Sequence, residues 1–322
     1  LTLSLAQIIA AIANANNYFQ ADSSGTNFLT VFPWNNAPAG SPQQISLNFI
    51  NVDKRKTASV NVTYYTLNSK ETSVKNETRI TVSPLNSATF DLPPSCVYQG
   101  YKVSELPSIE TISNRKIQVV SDSPISVVAH NFYNDSGDSY TILPVSLWKK
   151  EYKFSLPPAQ RGSHMLYFLS IMEVELHLKV FFGTSKTEFT INLTGEEEAK
   201  VYVPSTDSEA LTVIVTGSMI FTVIAAVRRL PISNSNGRSD FGCFIPSSAF
   251  SSHLLHGTYV TTLDTATYYS FTPANFSKDK FEVNVEGGSN MKEVLHLKAN
   301  GSQMPQHISQ SYYGDIVAFQ ES

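Results

Sequence analysis

Histidines, cysteines and clustered oxygen ligands are the residues of this chain that could do chemistry. His253 and His256 stand three apart, a spacing at which two imidazoles on a turn can share a metal ion. No third ligand lies nearby in the sequence, so two loop histidines is the plainer reading. His177 and His296 recur in one context, Leu-His-Leu-Lys at 176–179 and again at 295–298. That repetition marks an equivalent strand position rather than a general base. Asn134-Asp135-Ser136-Gly137-Asp138 gathers the oxygens that calcium favours, but it departs from the calcium-loop spacing and lacks the distal Glu. It reads as a solvated hairpin loop. The local signatures GxSxG, HExxH, CxxC and the phosphate-binding loop are all absent. The expectation is a protein that is not an enzyme, with no catalytic residue, cofactor or metal ligand. A hydrolase would need residues assembled by the fold, with His130 or His164 beside a carboxylate and an exposed Ser in one cleft. Arg161-Gly162-Ser163-His164-Met165 resembles an expression-tag scar, but it lies between matching strands and reads as native sequence.

Cys96 and Cys243 are the two cysteines. In an exported chain they permit one disulfide across a very long loop, and two buried thiols fit equally well. Asn-x-Ser/Thr sequons occur at Asn61, Asn76, Asn134, Asn192, Asn275 and Asn300. Asn61 and Asn192 fall on the polar faces of predicted strands and the others in turns, so each could carry glycan without disturbing a core.

The elements that would position these groups are strands. Val60, Val62 and Tyr64 alternate with Asn61 and Thr63, and Phe189, Ile191 and Leu193 alternate with Thr190, Asn192 and Thr194. No convincing helical period occurs, and Pro, Gly, Asn and Ser punctuate the chain as in hairpins. Two segments repeat. IQVVSDSPISVVAH from Ile117 aligns without gaps on VIVTGSMIFTVIAA from Val213, which pairs Ile125 with Phe221, Val127 with Val223 and Ala129 with Ala225. Each is followed by a polar loop, a Leu143-Pro144 or Ile245-Pro246 step, and then Tyr152 or Tyr259. A recurrence of roughly 100 residues suits tandem small domains rather than a solenoid. The fold class is therefore all-β, with tandem antiparallel sandwich-like modules at 16–148 and 149–262 and the opening strands of a third, truncated module at 263–322.

Composition narrows the setting. The chain has 322 residues, 42% hydrophobic and 16% charged, with 23 basic against 27 acidic residues. That balance offers no electrostatic footprint for nucleic acid. Glu196-Glu197-Glu198 reads as a solvated turn. Residues 1–15 form an apolar run ending in Ala13-Asn14-Ala15, the form of a secretory signal remnant cut before Asn16. Residues 210–227, followed by Arg228-Arg229, are as apolar as a membrane span. Their β-branched content and the break at Thr216-Gly217-Ser218 favour two buried strands joined by a tight turn. No membrane span is expected.

In order, Gly25 to Pro33 (GTNFLTVFP), Ser123 to Ala129 (SPISVVA), Leu143-Pro144-Val145-Ser146 with Trp148 and Glu151-Tyr152, Ile245 to Ser248 with Gly257-Thr258-Tyr259, and the Gly314-Asp315 turn form a set. This set resembles the N-terminal domain of the IgG Fc-binding protein family, from about Gly25 to the end. The resemblance implies a secreted β-rich domain of large mucus, matrix or cell-surface proteins, with no catalytic residues and no cofactor. Cysteines that members carry before the Pro-x-Ser motif are missing from 131–141, and 233–242 is followed only by Cys243. No Fc-binding motif can be carried over. The leading expectation is an extracellular, glycosylated recognition or adhesion module for a protein or glycoprotein partner. Its candidate partner loops carry Tyr133, Asn134, Asp138, Tyr140, Asn236, Arg238 and Phe241. The alternatives are a passive spacer in a matrix or surface coat and, last, an extracellular hydrolase.

Overall fold

The computed structural model describes residues 23–35, 43–67, 72–97, 107–134, 136–157, 159, 163–182, 185–204, 211–231 and 239–246, and the backbone of short strands between 256 and 320. The signal-like residues 1–15, His253, Asn236, Arg238, Asn275 and Asn300 lie outside the described residues. The chain is all-β. Among the described residues the only helical turns are 3-10 turns at Pro94–Cys96 and Val145–Leu147.

The first stretch forms β1 (Gly25–Thr30), β2 (Gln44–Asn51), β3 (Ala58–Leu67), β4 (Ser73–Val82), β5 (Asn86–Leu92), β6 (Ser108–Ser113), β7 (Ile117–Tyr133) and β8 (Ser136–Ile142). The second forms β9 (Lys149–Leu156), β10 (Ser163–Leu169), β11 (Val174–Phe182), β12 (Ser185–Leu193), β13 (Glu197–Pro204), β14 (Leu211–Pro231) and β15 (Ser239–Phe244). Further strands, β16 (His256–Thr261) to β21 (Asp315–Gln320), make a four-stranded sheet and a hairpin.

The two main sheets have one topology. The first runs β4-β3-β7-β2-β5 with β1 and β8 also on β7; the second runs β12-β11-β14-β10-β13 with β9 and β15 also on β14. Each long strand therefore feeds four partners, two on each half. The pairing also shares an irregularity: Asn27 faces Val120 and Gly25 faces Ile125, while Glu151 faces Thr216 and Lys149 faces Phe221. In both sheets the long strand holds extra residues against two on its partner, a bulge that lets one strand bend between two curled halves. The bulge carries Pro124 in β7, where a missing N–H is tolerated. In β14 it carries Gly217, whose Cβ would lie 2.8 Å from the Phe221 ring. The turn expected at 216–218 is thus a bulge within one continuous strand.

Equivalence follows from register. Phe49 faces Val127 as Phe168 faces Val223, and Val62 faces Val119 as Leu178 faces Val215. All eight are fully buried. Phe28 and Tyr152 likewise occupy one position, facing Val119 and Val215. The aligned segments 117–130 and 213–226 are the central strands of two copies of one unit.

The copies interlock. Leu166, Phe168, Val223 and Ala225 point into the core of the second sheet. Met165, Tyr167, Leu169, Tyr202, Ile224, Ala226, Phe241 and Cys243, from the other side of the same sheet, join the core built on Leu47, Phe49, Val60 and Val127. β6 lies in sequence within the 16–148 range but pairs with β13, from Ser108 opposite Tyr202 to Ser113 opposite Glu197. β16, within 149–262, pairs with β17 (Ala266–Thr272).

Charge is buried at this junction. Glu198 sits at 1% exposure in β13, so the acidic run is not wholly solvated; Glu196 is exposed and Glu197 accepts from the Thr194 N–H and hydroxyl. Burial pushes the Glu198 carboxyl up to about 8, against the pull of Lys116, Arg115 and Lys200 and with Glu110 adding to the rise. Lys116 donates to the Ser170 carbonyl at 3.1 Å and to the Gly195 carbonyl. Arg228 lies 4.2 Å from the centre of the Trp34 ring.

Candidate functional site

In the two predicted partner loops the described residues from Ser136 and from Ser239 onward are strand, because β8 and β15 are the fourth partners of the two central strands. They meet each other at the junction. Asp138 accepts from the Cys243 N–H and the Ser139 N–H, each at 2.7 Å. Asp240 returns the contact, accepting from the Gly137 N–H at 3.0 Å and from the Phe241 N–H at 2.7 Å. Each carboxylate thus satisfies a backbone donor of the opposite unit. Burial, helped by Asp240, pushes the Asp138 carboxyl up to about 6, while the two N–H donors hold it down.

Several predicted contact residues are consequently interior. Tyr140 is buried and donates to the Val31 carbonyl at 2.7 Å, with the Thr30 hydroxyl at 3.0 Å. Phe241 is buried in the shared core. Asp138 is committed to the junction. These three are packing residues, and no partner could reach the two aromatic rings without opening the junction. Tyr133 is half-buried, and Asn134 is exposed at φ 50°, the left-handed position that Asn tolerates best after Gly. Cys96 and Cys243 are both buried and unbridged; burial pushes Cys96 up to about 12 and Cys243 well up as well.

The catalytic candidates are held differently. His164 is buried, with Nε2 2.7 Å from the Pro157 carbonyl and Nδ1 unpartnered; burial lowers it to about 4, so it stays neutral. His130 Nδ1 lies 2.7 Å from the Ser139 hydroxyl, and its ring stacks on Phe132 with centroids 6.4 Å apart. Among the described residues neither imidazole has a carboxylate partner, so none of those residues completes a Ser-His-carboxylate array around them. His177 is exposed in β11, 3.1 Å from Glu175, and His296 lies in β19 (Met291–Lys298). Among the described residues no three His, Cys, Asp or Glu converge as metal ligands.

What the fold does expose is the outer face of β5-β2-β7-β8. Register lines up Asp91, Ser46, His130 and Ser139 in one row, Thr89, Asn48, Val128 and Thr141 in the next, and Gln44, Phe132 and Gly137 beyond. Phe132 is 40% exposed, a large apolar ring on a polar surface. The corresponding face of the second unit is the one buried in the junction. There Met165 stands for Ser46, Ala226 for His130 and Tyr167 for Asn48. Sequence reading missed this face because its residues come from four segments joined only by register. The one local signal was the alternation of polar residues along β2 and β5.

Of the described sequons, Asn61, Asn134 and Asn192 are exposed. Asn76 is half-buried and commits its amide to Thr66 Oγ1 and the Val74 carbonyl, both at 2.9 Å. From Leu211 onward the apolar stretch is strand, and no helix among the described residues is long and apolar enough to cross a membrane.

No family model matches the chain, and no curated protein matches it either. Several described residues of the motifs that carry the Fc-binding-family resemblance are packed in this fold. Phe28, Trp148 and Tyr152 are buried, and Gly25 packs where an added Cβ would sit 2.4 Å from Pro144.

Proposed function

We propose that this chain is a secreted, N-glycosylated, non-enzymatic recognition domain of the Fc-binding-domain type, and that its partner surface is the outer face of β5-β2-β7-β8. The observation that carries the reading is the contrast between equivalent faces: one is sealed by apolar side chains, and the other keeps Ser139, Asp91 and Phe132 exposed beside half-buried His130 and Ser46. A sheet face with hydrogen-bonding side chains around one aromatic ring suits a protein or glycan surface. The exposed sequons support an extracellular setting, as do the apolar start of the chain and the ordered motifs.

The test is binding of the purified domain to immobilised mucus, matrix or cell-surface glycoproteins. His130→Ala with Phe132→Ala leaves folding intact and weakens binding about tenfold or more. Undiminished binding by the folded double variant removes the site from this face. The interlocked core favours a second reading, a stiff spacer, and failure of the wild-type domain to bind any of these preparations would leave that one standing.

A further inference from the structure

The connection between β2 and β3 and the turn between β4 and β5 form one tip, and the tip is held rigidly. Asn51, at 1% exposure, donates its side-chain amide to the carbonyls of Lys56 at 2.8 Å, Val82 at 3.1 Å and Ser83 at 3.3 Å, and its oxygen accepts from the Asp53 N–H at 3.0 Å. Asp53 Oδ1 takes the N–H groups of Arg55 and Lys56 at 2.7 and 2.9 Å. The Leu85 N–H donates to the Asp53 carbonyl at 3.0 Å, which ties the two segments together. A surface connection fixed this firmly keeps its outward side chains in place.

Those side chains are unusual for a water-facing turn. Val52 is 56% exposed and Leu85 66%, the two most exposed large apolar residues among those described. Leu85 follows Pro84 at the turn position that requires positive φ, and it adopts φ 50° where Gly or Asn would be unstrained. The turn therefore keeps an apolar side chain in water at a backbone cost. Beside them Lys54, Arg55 and Lys56 are all exposed. Lys54 and Arg55 have no side-chain partner among the described residues, and Lys56 Nζ donates to the Asp122 carbonyl at 2.9 Å. Asp53, held by its two N–H donors, and Asp122, held by the Ser59 N–H at 2.9 Å and the Ser123 hydroxyl at 3.1 Å, stay ionised and offset two of the three cations, which leaves the tip with a net positive charge. The tip is locally basic on a chain whose formal net charge is −4.

We infer that this tip is a docking site for an anionic phospholipid surface, with Val52 and Leu85 entering the headgroup region and Lys54, Arg55 and Lys56 neutralising lipid charge. Both halves of the tip match that partner. A basic cluster attracts the negative surface, and two fixed apolar side chains lose their water in the interface. A sulfated polysaccharide would engage the cations but leave Val52 and Leu85 no role. The site is peripheral and separate from the sheet face proposed above, so either can fail without the other.

Co-sedimentation of the whole chain with vesicles tests it, using phosphatidylcholine alone and phosphatidylcholine mixed with phosphatidylserine. Binding is expected only to the mixed vesicles and should weaken with added salt. Lys54→Glu with Arg55→Glu is expected to lower the partition coefficient more than tenfold, since each cation near such a surface is worth about fivefold. Val52→Ser with Leu85→Gly is expected to lower it about tenfold. The Gly substitution suits positive φ, so a melting temperature close to wild type shows that the loss is not unfolding. Absence of phosphatidylserine-dependent binding by the wild type overturns the inference, as does full binding by either folded variant. Retention on heparin that the apolar variant leaves unchanged, without vesicle binding, assigns the tip to sulfated polysaccharide instead.

Discussion

β2 and β10 occupy the same place in two copies of one unit, yet they live in different surroundings. β2 alternates, with Ile45, Leu47 and Phe49 buried and Gln44, Ser46, Asn48 and Ile50 at least partly open to water. β10 is buried at every residue. The same holds for β5 against β13. Topology, central register and the bulge are common to both units; only the second has its outer face covered. A strand buried on both faces reads as a continuous apolar run, and one buried on a single face reads as an alternation. Identical topology therefore writes two different sequence patterns, and the duplication stays most visible in β7 and β14, whose core positions are buried in both units.

The largest effect is expected at the shared core positions. Val127→Asp and Val223→Asp each place an unpaired charge in a sealed core, and each is expected to cost more than about 4 kcal/mol and abolish accumulation of folded protein. Normal circular dichroism and melting for either one would show that the two strands are not equivalent.

The unequal faces give the next effect. Met165→Ser strips a buried side chain from the junction and is expected to cost about 2–4 kcal/mol. The reciprocal change, Ser46→Met, falls on the half-open face and should stay within about 0.5 kcal/mol. Urea midpoints of the two variants measure the asymmetry directly, and equal losses would mean that both faces are covered.

Protonation sharpens the same point more gently. Glu198 is pushed up to about 8 by burial, so in the window between the ordinary carboxylate pKa and 8 the folded state holds a proton that the unfolded state has lost. Its contribution to stability is present at low pH and is lost as pH rises through that window. Glu198→Gln should flatten the decline in melting temperature between about pH 5 and pH 8. A variant with the wild-type slope would place the titration elsewhere.

The smallest effect is expected where neither unit is covered. Asn61→Gln and Asn192→Gln, one in each unit and both exposed, should each remove one glycan mass from protein made in a secretory host and leave the melting temperature unchanged.

Much of the fold could be read from the sequence because alternation and turn residues are local signals. The all-β class, the strand pairs around 59–65 and 189–194 and the equivalence of Val127 with Val223 all came from such signals. The bulges did not, because Thr216-Gly217-Ser218 is as consistent with a tight turn as with a bent strand, and only the partners of both halves decide. The site was less legible. Polarity and flanking aromatics marked Tyr140 and Phe241 as surface contacts, but both rings fill the shared core. His130, Ser139 and Ser46 became neighbours only through pairing across β2, β7 and β8.

β6 carries a consequence for how the chain is made. Its hydrogen bonds run to β13, which leaves the ribosome more than eighty residues later. At roughly 5–20 residues per second of synthesis, β6 waits on the order of ten seconds with an open edge. During that interval the first unit also lacks the apolar face of β10 and β14 that seals it. The nascent chain is therefore most exposed to mispairing midway through translation, and it becomes safe when β14 emerges and both units close together.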